Sequence, residues 1–278
     1  MQMSDNQQYV ISASRRTDLP AFHLDWFIKS INAGVAEIKH PYSGKPLSVP
    51  IEKDKILAIV FWSRWYAHLL KRENELSIFP ALFQFTINDY PERLEKATPP
   101  KEKAVAQAKE LATKHGRHTV LWRYDPIILH DGLDENYHID CFTKLADSLA
   151  GSVQRCSTSF VSLYRKTIRN AAAGGFQLSP IEKTRKVELA AKLARIASER
   201  DIQLMACCDP DLLEAGLIKA SCVDLQLIRM ITGNEELILA PAPTRSGCGC
   251  YSSIDLGSYN TCYFGCLYCY ANSKPETK

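Results

Sequence analysis

The run Ile56-Leu-Ala-Ile-Val-Phe-Trp62 constrains the fold of this 278-residue chain more than any other stretch. It is continuously apolar, with none of the alternation that a strand with one wet face shows. A strand can carry such a run only if both of its faces are buried, which is the situation inside a parallel sheet flanked by packing layers. The run is far too short to cross a bilayer.

Similar segments recur along the chain, at residues 9–14, 35–39, 81–87, 118–124, 153–160, 202–206 and 237–240. Helical stretches separate them. Leu19-Pro20 opens a helix to about residue 33, with Phe22, Trp26, Phe27 and Ile31 on roughly one face and Gly34 as its stop. Further helices are expected around Ala67, Leu69 and Leu70, and over 101–115, 137–149 and 161–173. Ser179-Pro-Ile-Glu182 has the form of a capping box, opening a long helix to about residue 200. About eight strands alternating with helices imply parallel βα units with right-handed crossovers. At this length the alternation favours an α/β fold of the closed or nearly closed (β/α) TIM-like barrel type over an open doubly wound sheet. No glycine fingerprint for dinucleotides and no phosphate-cradling Walker loop is present. The expected organisation is a barrel domain over 1–247, with a cysteine-rich, cluster-binding segment over 248–278 packed on it.

Ten cysteines need an explanation, and eight of them fall between Cys207 and Cys269. The polar start, residues 1–8, has no apolar signal core, so a cytoplasmic location and no membrane partner are expected. In a reducing compartment, crowded cysteines read as metal ligands rather than disulfides. Cys141 and Cys156, outside the crowd, read as small buried hydrophobes. A net charge of +3 is too mild to argue for a nucleic-acid partner.

The most specific motif is Cys262-Tyr-Phe-Gly-Cys266-Leu-Tyr268-Cys269-Tyr270, three thiols at C-x3-C-x2-C spacing with an aromatic residue before the last. Such thiols suit an iron–sulfur cluster, three of whose four irons they would hold. Cys266 and Cys269 alone could equally be half of a structural zinc site. A ferredoxin-type cluster would need a fourth cysteine close by, and none follows Cys269. Cys207, Cys222, Cys248 and Cys250 form a second possible set of four, suiting an auxiliary [4Fe–4S] cluster or zinc; Cys207 is preferred to Cys208 because it lies nearer the expected strand. The seven histidines are scattered, without the spacing of a zinc protease.

In barrels of this kind the site lies at the carboxyl ends of the strands. There the sequence places Ser12, Ser14, Arg15, Arg16 and Asp18, then Lys39, Ser63, Arg64, Thr86 and Asn88, then Arg123, Asp125, Ser157, Ser159 and Cys207. Arg15 with Asp18 could instead be an ion pair and helix cap, and Arg123 with Asp125 turn chemistry.

The cysteine loop resembles that of the radical S-adenosylmethionine (radical SAM) superfamily. The whole chain resembles an uncharacterised bacterial family, the domain of unknown function 1848, at Ile11-Ser-Ala-Ser-Arg-Arg-Thr-Asp-Leu-Pro-Ala21, Ile59-Val-Phe-Trp62, Arg123-Tyr-Asp-Pro-Ile127 and from Cys248-Gly-Cys250 through Ala271. The Arg-Tyr-Asp-Pro-Ile segment is also similar to spore photoproduct lyases, which are radical SAM enzymes. The resemblance implies a [4Fe–4S] cluster on Cys262, Cys266 and Cys269, with the unligated iron chelating SAM. It also implies cofactor contacts from Arg15, Arg16, Asp18, Arg123, Asp125 and Tyr268, and a reductant such as a flavodoxin or ferredoxin. The substrate is left open. Two departures stand out. The loop lies at the C-terminal end rather than after the first strand, which a circular permutation of the barrel would reconcile. Ser63-Arg64-Trp65-Tyr66 replaces the Thr-Lys-Asn-Pro expected after Phe61-Trp62. Alternatives are a non-catalytic zinc or electron-transfer protein, or a nucleic-acid repair protein, the last prompted by the photoproduct-lyase likeness and the Arg15-Arg16 pair.

Overall fold

The structure is a computed structural model and describes residues 8–41, 43–130 and 132–273. The chain runs β1 (Tyr9–Ala13), α1 (Leu19–Phe22), α2 (Leu24–Ala33), β2 (Val35–Lys39), β3 (Pro46–Pro50), β4 (Ile56–Ser63), α3 (Ala67–Lys71) and β5 (Ala81–Thr86). It continues through α4 (Lys101–His115), β6 (Val120–Arg123), α5 (Glu135–Leu149), β7 (Arg155–Thr158), α6 (Arg165–Ala173) and α7 (Lys183–Ser198). The last elements are β8 (Gln203–Ala206), β9 (Ile218–Lys219), α8 (Leu225–Thr232) and β10 (Ile254–Asp255).

Eight strands form one sheet in the order β10-β1-β4-β5-β6-β7-β8-β9, and every neighbouring pair is parallel. The apolar run of β4 shows why. Ile59 and Phe61 enter the core beneath the helices, while Ala58 and Val60 enter a second core on the opposite face. The helix side is aromatic: Phe61 meets Phe27 of α2 edge-on at 5.8 Å, and Trp122 stacks on Phe142 of α5 at 4.8 Å. Removing these side chains from water contributes roughly 1.5–3 kcal/mol each, which is how the helices are held to the sheet. The opposite face, with Val10, Val60, Leu82, Leu121 and Met205, packs against Leu227 and Ile228 of α8 and against the chain that follows it.

The ladder does not close into a continuous barrel. Its edges are β9 and β10, two residues each. The chain just beyond β9 meets the chain just before β10 through two bonds: the Tyr251 N–H donates to the Val223 carbonyl at 3.1 Å, and Ser221 Oγ to the Gly249 carbonyl at 2.7 Å.

Other expectations are also corrected. Residues 35–39 form β2, but it pairs antiparallel with β3 in a separate hairpin, which removes Lys39 from the strand ends of the main sheet. Residues 237–240 make no strand; Leu237 and Leu239 are instead buried in the inner core. The helix expected over 19–33 breaks at His23, where φ is −134°. The box at Ser179 does not cap α7, which starts at Lys183 with Glu182 at its N-cap and no side-chain cap bond. No helix among the described residues is long and apolar enough to cross a membrane.

Candidate functional site

Asp255 is where the chain's last strand meets its first. β10 pairs with β1 in register Ser12 to Asp255, so the carboxylate lands beside the turn that follows β1. It accepts Ser14 Oγ at 2.5 Å, Ser12 Oγ at 3.1 Å and the Arg15 N–H at 2.9 Å. Arg16 closes the set with an ion pair at 3.0 Å and a bond to the Asp255 carbonyl at 2.7 Å. Burial acts to raise this carboxyl, but Arg16, Ser14 and the N–H groups of Arg15 and Gly257 outweigh it and hold it below the usual range. Gly257 has to be glycine, because a Cβ there would sit 1.9 Å from Ser14 Oγ.

The cysteine loop follows directly and docks on the segment after β5. The Leu267 N–H donates to Leu94 O at 3.0 Å and the Ala97 N–H to Phe264 O at 3.1 Å. Tyr268 is buried, and its hydroxyl donates to Glu95 while accepting from Arg64. Arg64 and Glu95 are themselves paired at 2.8 Å, with exposures of only 13% and 3%. The aromatic residue before Cys269 is therefore an anchor that fixes the loop from beneath. Gly265 supplies the left-handed turn (φ +69°) between Cys262 and Cys266. Asn272 Nδ2 donates to the Cys262 carbonyl at 2.6 Å, and the Ala271 N–H to Cys269 Sγ at 3.3 Å. Burial pushes the Cys262 thiol up to about 12 and raises those of Cys266 and Cys269.

Asp18 joins the loop to the sheet. Its carboxylate accepts Ser63 Oγ at 2.6 Å and the N–H groups of Arg64 and Ala21 at 2.8 and 3.0 Å, the last as the N-cap of α1. Burial nevertheless raises it from 3.8 to about 6. A raised group binds its proton in the folded state before it does in the unfolded one. The associated stability is thus full below about 3.8 and is lost as pH rises through about 6. Chemical denaturation of the metal-free protein at pH 4.5 and pH 7.5, beside Asp18→Asn, is expected to show a loss of up to about 2 kcal/mol that the variant lacks.

All three loop thiols open on one cavity of about 230 Å³. Its walls carry the carboxyl ends of five strands or the residues just past them: Ser14 after β1, Ser63 of β4, Thr86 of β5, Arg123 of β6 and Ser159 after β7. Arg15, Asp18, Asp125 and Tyr268 line it as well. Two buried donors on this wall, Arg15 Nε and Trp62 Nε1, have no acceptor. Arg123 is pinned to Asp125 at 2.5 Å and lies 3.0 Å from Cys222 Sγ. Ser159 Oγ donates to the other carboxylate oxygen of Asp125 at 2.5 Å, so Arg123 and Asp125 form a network wider than a turn.

Several residues of the sequence-based set lie elsewhere. Arg16 is consumed by Asp255, Ser12 likewise donates to Asp255, and neither lines the three-thiol cavity; nor do Lys39 and Ser157. Arg15 and Asp18 do not pair with each other, and the cap belongs to Asp18 alone. Glu95 and Asp255 escaped the sequence reading. Glu95 lies in a loop without a local pattern, and the only signal for Asp255 is its place just upstream of the cysteine loop, inside a strand too short to recognise. Among the described residues, no three His, Cys, Asp or Glu side chains converge as ligands of one metal ion do.

A family model described as "Domain of unknown function (DUF1848)" matches residues 10–271. No curated protein matches the chain. Two solved structures show weak likeness. One is a D-hydantoinase, at 8% identity and a TM-score of 0.33, covering 65% of this chain and 42% of that one. The other is the carboxyl transferase domain of Rhizobium etli pyruvate carboxylase with pyruvate, at 12% identity and 0.23, covering 84% and 47%. The chain spans less than half the length of either, and at these scores neither likeness bears on fold or function.

Proposed function

The chain belongs to the DUF1848 family, and from that premise we propose that it is a radical SAM enzyme, with a [4Fe–4S] cluster on Cys262, Cys266 and Cys269. One observation carries the reading: three thiols at C-x3-C-x2-C spacing open together on a cavity at the carboxyl ends of parallel strands. The donor set fits the group. Thiolates on a four-iron cube each bind a different iron and need not converge on one point, whereas the ligands of a single zinc ion must. The sheet order supports the permuted-barrel reading as well. Counted from β10, the strands follow one another in space as they would in a barrel whose cysteine loop comes after its first strand.

When bound, the cluster and SAM would supply a 5′-deoxyadenosyl radical able to remove a hydrogen atom from a substrate. The chain's own residues have other tasks. Tyr268, Arg64 and Glu95 hold the loop still beneath the thiols. Arg15 lines the same cavity as the thiols, and its guanidinium would suit the carboxylate of SAM. Trp62, Phe264 and Tyr164 wall the cavity with aromatic surface and exclude water. The chemistry requires a reducing compartment, the cytoplasm, and a one-electron donor such as a flavodoxin or ferredoxin.

The test is anaerobic. Protein purified without air and supplied with iron and sulfide is expected to release 5′-deoxyadenosine and methionine in equal amounts when given SAM and a strong reductant. A fully formed cluster that yields no more 5′-deoxyadenosine than a protein-free control would end the proposal.

A further inference from the structure

The other end of the same wall carries a second group of thiols. Cys207 directly follows β8, Cys222 lies just beyond β9, and Cys248 and Cys250 lead into β10. All four line a cavity of about 690 Å³, which shares Trp62, Arg123 and Asp125 with the three-thiol cavity. Cys207 Sγ lies 3.8 Å from Cys222 Sγ, and the Cys250 N–H donates to Cys248 Sγ at 3.4 Å.

Two features mark this as more than crowding. Arg123 places its guanidinium 3.0 Å from Cys222 Sγ and 3.9 Å from Cys207 Sγ, all three residues being buried. Arg123 keeps Asp125 as its ion-pair partner, and its guanidinium is also aimed at the two sulfurs, where it would offset the negative charge of thiolates. None of the ten cysteines is in a disulfide, so the group is not a covalent staple. The four thiols also come from three separated stretches of chain, which the fold has brought to one place.

We propose that Cys207, Cys222, Cys248 and Cys250 ligate a second [4Fe–4S] cluster. Four thiolates suit a four-iron cube, one on each iron, and zinc is the rival that an iron and sulfide count decides. Four protein ligands leave no iron vacant, so this cluster serves one-electron transfer and does not chelate a small molecule. Cys208 is not a ligand. It is only partly buried and sits at a left-handed residue (φ +55°).

The inference goes beyond the first site and can fail separately from it. The decisive protein is the triple variant Cys262→Ala/Cys266→Ala/Cys269→Ala, reconstituted without air. It is expected to keep about four irons and four sulfides per chain, where the parent holds about eight of each, and to give a paramagnetic signal on reduction. A folded triple variant, by circular dichroism, that binds no iron or binds stoichiometric zinc overturns the proposal. Cys248→Ser/Cys250→Ser in the parent is expected to halve the iron, and Cys208→Ser to leave it unchanged; halving by Cys208→Ser overturns the ligand assignment. None of these readouts requires cleavage of SAM. An iron-loaded triple variant beside a parent that never cleaves SAM would leave this site standing and remove the first reading.

Discussion

Cys266→Ala is expected to bring 5′-deoxyadenosine formation down to the protein-free background while leaving the fold intact. Cys266 is the middle thiol of its loop, buried, and opposite Glu95 in an isolated antiparallel bridge. The bridge is made by backbone atoms, and Tyr268 two residues later stays anchored by Glu95 and Arg64. Alanine therefore removes one sulfur and little else, at a cost of about 1 kcal/mol or less to the metal-free protein. A cube held by only two thiolates has lost the ligand pattern on which the chemistry rests. Iron content should fall by the share of one cluster, and thermal melts of the metal-free parent and variant should nearly coincide. Persisting SAM cleavage would place the reactive centre at other residues.

Asp255→Ala is expected to cost about 3 kcal/mol, because it leaves Arg16, whose side chain is only 11% exposed, without its ion-pair partner. The same change strands the hydroxyls of Ser12 and Ser14 and the Arg15 N–H, all of which donate to this carboxylate. Arg16 already has one buried nitrogen, Nη1, without an acceptor, so it has no second carboxylate in reserve. In a chain of this size the loss corresponds to a fall in Tm of roughly 10 °C, read in the metal-free protein. Asp255→Ala/Arg16→Met should recover part of it, since two apolar groups cost less there than one uncompensated charge. A double variant no more stable than the single one would show that the hydroxyls, not the ion pair, dominate the junction. The same carboxylate makes the junction acid-sensitive. Its stabilisation is present above the ordinary carboxylate range and is lost as pH falls below it, because its folded pKa is depressed.

How far the fold is legible in the sequence depends on where the determining contacts lie. The run at β4 declares itself because both faces of that strand are buried, and the helices over 101–115 and 137–149 follow from periodicity and their stops. β9 and β10 could not be read. Two residues carry no period, and these become strands only because β8 and β1 offer them an unfilled edge. The pattern at 35–39 was real, but nothing local reveals that its partner is residues 46–50 rather than the main sheet. The open ladder has the same origin: its edges are too short to pair, and α8 with the chain after it covers the inner face instead. At the site, Cys262, Cys266, Cys269 and Tyr268 announce themselves by spacing. Glu95 and Asp255 do not, since a buried carboxylate is defined by the cations that the fold brings to it.

The pairing of β10 with β1 has a consequence in time. Translation delivers the other seven strands of the main sheet before β10 and the thiols behind it, so the berth made by Leu94, Glu95, Arg64 and Asp18 can stand ready when they emerge. Nascent chains cut short upstream of residue 254 would present neither the three loop thiols nor the carboxylate that latches them, so the loop's own metal site cannot be half built on unfinished protein.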